Sequence, residues 1–520
     1  MATPLISLAL AQPFLSLLSL ALFYLFLSTA RSYFRLSHIP GPFLARFTNI
    51  PRFLWVWSNN AHNVHIALHR KYGPVVRFGP NMISVASPEE IGQIYGFKKP
   101  WLKSDFYHAL LMKPAGKPVP GIFATQDPVI HQKLKRPVAN AYSLSALVSF
   151  ESRVDSTMEV FCTQLEERFV ETQQVCDLGK WLQMFAFDVI GELTFSKRLG
   201  FLESGEDVNG VMAGIWNTFK QTSLVKKIPP PLLATQMPWL DYVWINNPIK
   251  RFLRGKGVSP GAAFAMARVQ ERRQALATGK GKDWNDTSRD FLSRFLEIEE
   301  KESVPPYAVA AWAGSNITAG SDTTGIYLRT LFHELLTHPE SRDKLRRELD
   351  TAASQGSLST LATWGETSKL PYLDACIKEA GRLHPPFALP YERVVPTGGA
   401  TLCGARVGEG TVVGMSAWAV HRDEELFGGD SDCWRPERWL EVGPERKREM
   451  ENGLLMFSAG TRVCMGKHIA YLEMYKVVAT LLRRFEFELV GPEEGGCWKV
   501  ENRWFAMQEG LLVKIRERKE

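Results

Sequence analysis

The sequence predicts a mainly α protein with small β-sheets, one large domain behind an N-terminal membrane anchor. Three observations carry this expectation. Apolar residues recur at helical spacing: Leu147, Phe150, Val154, Met158, Phe161, Leu165 and Phe169 lie three or four positions apart and form one helix face. β-like runs are few and short, namely PVVRF (74–78), MISVA (82–86), TVVGMSAWAV (411–420) and LLVKI (511–515), which places small sheets near both ends of the chain. Leu5 to Leu27 carries no charge and is strongly apolar; as a helix it extends roughly 35 Å, enough for a hydrocarbon core of about 30 Å.

Taken in chain order, residues 1–30 read as a single-pass transmembrane signal-anchor. Residues 31–42, which include most of HIPGPF, read as a Pro-rich hinge, and 43–520 as the main domain. Arg31, Arg35 and Arg46 follow the apolar run and nothing basic precedes it but the amino terminus. That arrangement argues against a cleaved signal peptide and places the body on the cytosolic side.

The 520 residues are 45% hydrophobic and 22% charged, the balance of a folded chain with a sizeable core. The net charge of +7 is spread along the chain, with no Lys/Arg tract of the kind that binds nucleic acid. A mildly basic surface and attraction to an acidic membrane or protein partner both remain open. Seven cysteines, an odd number with no C-x-x-C pair, make neither a disulfide framework nor a zinc site. Polar stretches 277–288 and 353–360 read as surface loops.

One long helix is expected over about 304–339, capped by Ser303, with Pro305 and Pro306 in its first turn and His338-Pro339 as its stop. Asn316, Ala319, Gly320 and Thr323 share a stripe in its middle. Small residues there fit either close helix packing or a helix that bows open beside a ligand.

Four motifs then fall in order: AGSDTT (319–324), EAGR with Glu379 and Arg382 one helical turn apart, RPERW (435–439), and FSAGTRVCMG (457–466), which continues to Ala470 and Glu473. Their order and content resemble the cytochrome P450 family of heme-thiolate monooxygenases. The resemblance covers essentially all of the chain after the apolar run. It is of the microsomal fungal type, with DPVIHQKLKRPVANAYS similar to the pisatin-demethylase-like group.

The resemblance implies heme b as cofactor, with Cys464 as its axial thiolate and metal ligand. A thiolate pushes electron density to the iron and favours O–O cleavage. Gly460 and Gly466 would let the backbone approach the porphyrin, Phe457 would shield the sulfur, and Arg462 would grip a propionate. His131 and Lys135 stand where the family usually has W-x-x-x-R, and Arg136 competes with Lys135 for that contact. Arg393 matches a further propionate ligand. Glu379, Arg382 and Arg438 are expected as a buried structural ion network. Asp322 and Thr323 match the family's acid–alcohol pair, which delivers protons during oxygen activation, while Ala319 and Gly320 would leave space for O2.

No flavin or nicotinamide module follows the heme motif. The resemblance therefore implies NADPH-derived electrons from a separate flavoprotein reductase, with a small electron-transfer heme protein as an additional donor. Lys467, Lys476, Arg483 and Arg484 are candidates for meeting that acidic partner. Residues 246–257 mix apolar and basic side chains and fit either a membrane-surface contact or a basic loop. Family position puts the pocket around Trp101–Phe123, Asn316, Phe387–Leu389 and Trp504–Met507, apolar enough for a lipophilic small molecule. The implied setting is fungal secondary metabolism at the endoplasmic reticulum. Two other readings stand beside it: a heme-thiolate isomerase or dehydratase without external electrons, and a non-catalytic membrane-anchored heme protein that binds ligands.

Overall fold

A computed structural model of the chain describes residues 13–111, 119–225, 260–278 and 290–518. Six helices organise the described chain: α1 (Pro13–Arg35), α2 (Pro128–Lys135), α3 (Leu178–Phe195), α4 (Ala308–Thr337), α5 (Pro371–Leu383) and α6 (Lys467–Arg484). Their starts follow from local chemistry. Asp127 caps α2 by accepting from the Val129 and Ile130 N–H groups, with Pro128 in the first turn. Asp177 caps α3 through the Lys180 N–H. The helix expected at 147–169 forms over Glu151–Leu165 and widens into a π-helical turn at Glu166–Val170, with Val154, Met158, Phe161 and Leu165 fully buried.

α3 is buried on nearly every side, and α4 lies against it. The contact runs through glycines. A Cβ on Gly320 would press Ile190 at 3.2 Å, and one on Gly325 would press Gln183 at 3.1 Å. Helix α4 starts later than expected, at Ala308. Ser303 does not cap it, because the Ala308 N–H closes a turn onto the Pro305 carbonyl (2.8 Å), so both prolines precede the helix. It is continuous α-helix to Thr337, where His338 and Pro339 end it as expected.

Five strands make the larger sheet: β1 (Val75–Gly79), β2 (Met82–Val85), β3 (Leu102–Lys103), β4 (Arg393–Val394) and β5 (Val412–Gly414), in the order β1-β2-β5-β4-β3. Only β2 and β5 pair in parallel. A three-stranded sheet has Leu512–Glu517 between Cys176–Asp177 and Phe485–Leu489. The run 411–420 is strand only as far as Gly414. Ala417–Val420 turns into a short helix, which lets the Trp418 indole donate to the Pro385 carbonyl (3.0 Å) and pack against His62 and His384.

The transmembrane anchor expected over 1–30 is not supported. Among the described residues no helix is long and apolar enough to cross a membrane. Residues 1–12 lie outside the described residues. Within α1 the apolar residues are interrupted by Ser16, Ser19, Ser28 and Thr29. The helix then runs on through Arg31 to Arg35, into the stretch expected as a hinge.

That stretch is bound to the body. Leu36 and Ile39 are buried, and the Arg77 N–H donates to the Pro40 carbonyl (2.7 Å). The Arg77 guanidinium, fully buried, donates to the carbonyls of Tyr33 (3.1 Å), Arg46 (3.1 Å) and Pro80 (2.6 Å). Burial lowers its pKa to about 10, still charged at neutral pH. Arg77→Met should leave these acceptors without their donor, at about 1–3 kcal/mol for each buried group. Hydrogen exchange should then accelerate across residues 33–47, and unchanged protection there would refute the clamp.

Candidate functional site

The loop 457–466 is shaped by its backbone. Ser458 and Gly460 adopt left-handed φ of +58° and +63°, and a Cβ on Gly460 would run into the Tyr95 carbonyl oxygen. Residues Gly460–Arg462 make a short 3₁₀ turn. The Cys464 N–H donates to the Phe457 carbonyl (2.9 Å), which closes the loop, and Gly466 takes the N-cap position of α6. Cys464 keeps accessible surface, yet it sits deep enough that burial raises its thiol pKa. The two facts agree if the sulfur faces an internal cleft. Opposing the rise are the N–H groups of Gly466 and Lys467 and the charges of Lys135 and Lys467. The Phe457 ring lies parallel to Tyr327 of α4 at 6.5 Å and edge-on to Tyr471 at 5.2 Å.

Cations gather beside this loop. The Arg462 guanidinium donates to the carbonyls of Thr125 (2.9 Å), Gln126 (3.3 Å) and Ile122 (3.4 Å). Lys135 Nζ reaches the Thr461 carbonyl (2.9 Å), while Arg136 is exposed, so Lys135 is the residue on the site. His131, one turn earlier on α2, is buried, and its pKa falls to about 3 through burial and the fields of Arg462, Lys135 and Lys103. Arg393 is buried over the Tyr95 ring at 4.8 Å.

Lys103 is a member that sequence reasoning missed, since a two-residue strand has no periodicity to reveal it. Its Nζ donates to the Phe123 carbonyl (2.5 Å) and lies 4.1 Å from the ring centroids of Tyr107 and Phe123. Burial, Arg393 and Arg462 depress its pKa strongly. Lys103 and Arg393 are direct cross-strand partners of β3 and β4. Like charges so placed are destabilising, and among the described residues no carboxylate forms an ion pair with Lys103, Lys135, Arg393 or Arg462. The chemistry of this donor set is that of a site for carboxylates.

α4 divides the predicted stripe between two faces. Ser315 and Ala319 are accessible and Thr323 is half-buried, at four-residue spacing, whereas Ser321 and Asp322 are buried. Gly320 faces Ile190, so its role is helix packing. Asn316 is also structural: it accepts from the Tyr142 hydroxyl (2.6 Å) and donates to Thr194 (3.2 Å). The Thr323 hydroxyl donates to the Ala319 carbonyl (2.8 Å). Asp322 points to α3, where Gln183 donates to its Oδ1 (2.5 Å), and burial raises its pKa to about 6. Gln183 was also missed, although one amide inside the apolar run WLQMFAF was a signal.

Beneath the loop, Glu379 is fully buried and receives five donors. These are Arg382 Nε (2.8 Å) and Nη2 (2.7 Å), Arg438 Nε (2.9 Å), the Arg435 N–H (3.0 Å) and the Trp439 indole (2.9 Å). Arg382 also donates to the carbonyls of His421, Ser431 and Cys433, and Arg438 to Phe427 and Asp430. His421 then links the Arg382 carbonyl (2.9 Å) to the Leu455 N–H (2.7 Å), two residues before Phe457.

The basic residues expected to meet a partner do not form one patch. Lys476 is buried between Glu151 (2.7 Å) and Asp155 (2.8 Å), and Arg484 pairs with Glu166 (2.6 Å). Arg483 donates to the Ser359 carbonyl (2.6 Å), and Lys467 is half-buried. Residues 246–257 lie outside the described residues, as do 112–118 of the expected pocket. Buried Trp504, Phe387 and Tyr107 remain in an aromatic cluster with half-buried Phe106 and exposed Phe123.

A family model for cytochrome P450 matches residues 40–510. The chain is similar to a cytochrome P450 monooxygenase of Aspergillus terreus, 66% identical over 469 residues, covering 90% of this chain and 94% of that protein. It is also similar to cytochrome P450 monooxygenase cicH of Emericella nidulans, 50% identical over 501 residues, 96% and 97% of the two chains. Cytochrome P450 monooxygenase pkfB of the same organism is 45% identical over 504 residues, 96% of each.

Removing Glu379 would leave buried Arg382 with no carboxylate partner among the described residues and Arg438 with Asp430 alone. Glu379→Ala should lower stability by about 3–5 kcal/mol, read as a lower midpoint in denaturant unfolding. Wild-type unfolding in that variant would refute the dependence on this carboxylate.

Proposed function

The chain belongs to the cytochrome P450 family, and from that premise we propose how this monooxygenase holds its cofactor and what it oxidises. We read it as inserting one oxygen atom from O2 into a lipophilic small molecule, in fungal secondary metabolism, with NADPH-derived electrons from a separate flavoprotein reductase. Heme b with a cysteine-thiolate axial ligand is the family's prosthetic group and supplies the redox centre at which O2 is reduced. The observation that carries the reading is an accessible Cys464, in a loop locked by left-handed backbone, beside a cluster of buried and half-buried cations that lack carboxylate partners among the described residues.

Cys464 is the proposed thiolate donor. The α6 terminus and Lys135 favour its anion against the cost of burial, and a bound metal ion holds a coordinating thiol deprotonated. Arg462, Arg393, Lys135 and Lys103 take the propionates, with His131 neutral beside them at physiological pH. Gly460 lets the loop lie against Tyr95. Phe457 covers the cysteine side of the loop from α4 to Tyr471.

On this reading the stripe of Ser315, Ala319 and Thr323, the accessible side of α4, walls the cofactor cleft opposite Cys464. The Thr323 hydroxyl already donates to Ala319, so it offers its lone pairs to a water that carries protons inward. Asp322, its pKa raised to about 6 by burial, regains a proton readily and is the nearby acid able to supply them. Exposed Leu20, Leu22, Phe23 and Phe26 on α1 favour contact with an apolar phase, which fits placement at the endoplasmic reticulum surface.

The reduced, carbon-monoxide-bound protein should absorb at the wavelength specific to a thiolate ligand, and Cys464→Ser should abolish that band. Persistence of the band would remove Cys464 from its role. With reductase and a turned-over substrate, Thr323→Ala should divert NADPH electrons to peroxide by about tenfold or more, since a lost proton-transfer group costs up to about 10²–10⁴-fold. Equal coupling in variant and wild type would remove Thr323 from proton delivery.

A further inference from the structure

We propose that Gln183 is a positioning residue for proton supply: fixed by Arg329, it holds the Asp322 carboxyl through one N–H donor and keeps the guanidinium from pairing with that acid. The inference rests on the reading of Asp322 as the proton source.

The orientation of the amide follows from donor arithmetic. Arg329 can only donate. Its Nη2 lies 2.6 Å from Gln183 Oε1, so that end of the amide is the oxygen, and the NH2 end faces Asp322 Oδ1 at 2.5 Å. The rest of the guanidinium is committed elsewhere, with Nε to the Gly179 carbonyl (2.8 Å) and Nη1 to the Met507 sulfur (2.6 Å). Asp322 therefore receives a neutral hydrogen bond where a direct guanidinium partner would have given it a charge. Its Oδ2 is buried without a hydrogen-bond partner among the described residues.

The charges around the acid are few. Gln183 faces it from α3 and Arg329 from its own helix, and Asp207 acts from the turn before the helix Val211–Val225. Asp207 disfavours ionisation of Asp322, whereas Gln183 and Arg329 favour it, and the Arg329 charge is shared with Asp177 and Glu509. Burial outweighs the favourable partners and leaves the carboxyl near 6, above its ordinary 3.8. The acid is then mostly ionised at neutral pH but regains a proton readily. A direct guanidinium contact would drive it below the ordinary range and make it a poor donor.

The test is an infrared titration of the heme-loaded protein. The C=O stretch of a protonated buried carboxylic acid is followed against pH, with Asp322→Asn identifying the band. The wild-type midpoint should lie near 6, and a midpoint in the ordinary carboxylate range would overturn the proposal without any Gln183 variant. In Gln183→Glu, the new carboxylate keeps the Arg329 contact but offers Asp322 no donor. The midpoint should rise by at least about one pH unit, a tenfold gain in proton affinity, while the heme spectrum stays unchanged. An unmoved or lowered midpoint would overturn the role of Gln183. The pH profile of NADPH oxidation with reductase and a turned-over substrate separates the two readings. If it shifts with the infrared midpoint, Asp322 supplies the proton. If the midpoint moves and the profile does not, the Gln183–Asp322 coupling stands and the proton-source reading falls.

Discussion

The Glu379 carboxylate is the constraint on which the ligand loop depends. A buried carboxylate is tolerable only where donors replace its water, and here five do so from two parts of the chain, its own helix and residues 435–439. The two arginines it fixes turn outward to collect backbone carbonyls at Phe427, Asp430, Ser431 and Cys433, which have no regular ladder of their own. His421 carries that order to Leu455, and the chain reaches Phe457 and Cys464 from a position set by charge rather than by helix or sheet. Such a network adds little to stability relative to an apolar core, but it specifies one path for an irregular segment, which apolar side chains would do poorly.

Helix α4 shows a second economy of design. Its packed glycines and its accessible stripe serve opposite faces. Gly320 and Gly325 let α3 approach until side chains would collide, while Ser315, Ala319 and Thr323 look the other way. Thr318, Ser321, Thr323, Thr324 and Thr330 all bond back to the carbonyl four residues earlier. Back-bonding hydroxyls stay inside their own helix and so satisfy themselves on a buried surface. The helix pays in propensity for polar atoms that need no partner from its neighbours.

Much of this was legible in the sequence, and the limits are physical. Helical spacing found the face of 151–165, and short β-like runs found β1 and β2, which are buried on both faces, and the last strand, which buries alternate residues. The spacing of FSAGTRVCMG, EAGR and RPERW selected residues that the fold does gather. What failed was anything set by direction within a turn. The stripe of Asn316, Ala319, Gly320 and Thr323 mixed two faces, since an arc of small residues does not say which side is packed. Lys476 read as surface charge but is a buried ion pair, because Glu151 and Asp155 are more than three hundred residues away. Lys103 and Gln183 became visible only when β4 and α4 lay beside them.

The cross-strand pair of Lys103 and Arg393 also has an evolutionary side. Within the strand pair itself, replacing either cation by Thr or Val would remove a repulsion and suit the pleated surface better. On the proposed reading, the same replacement weakens the grip on the prosthetic group's acidic edge. Selection for a sturdier sheet and selection for cofactor retention therefore pull these two positions in opposite directions. A screen for thermal tolerance in a chain of this kind would be expected to discard such cations first, unless it also scored how firmly the pigment is kept.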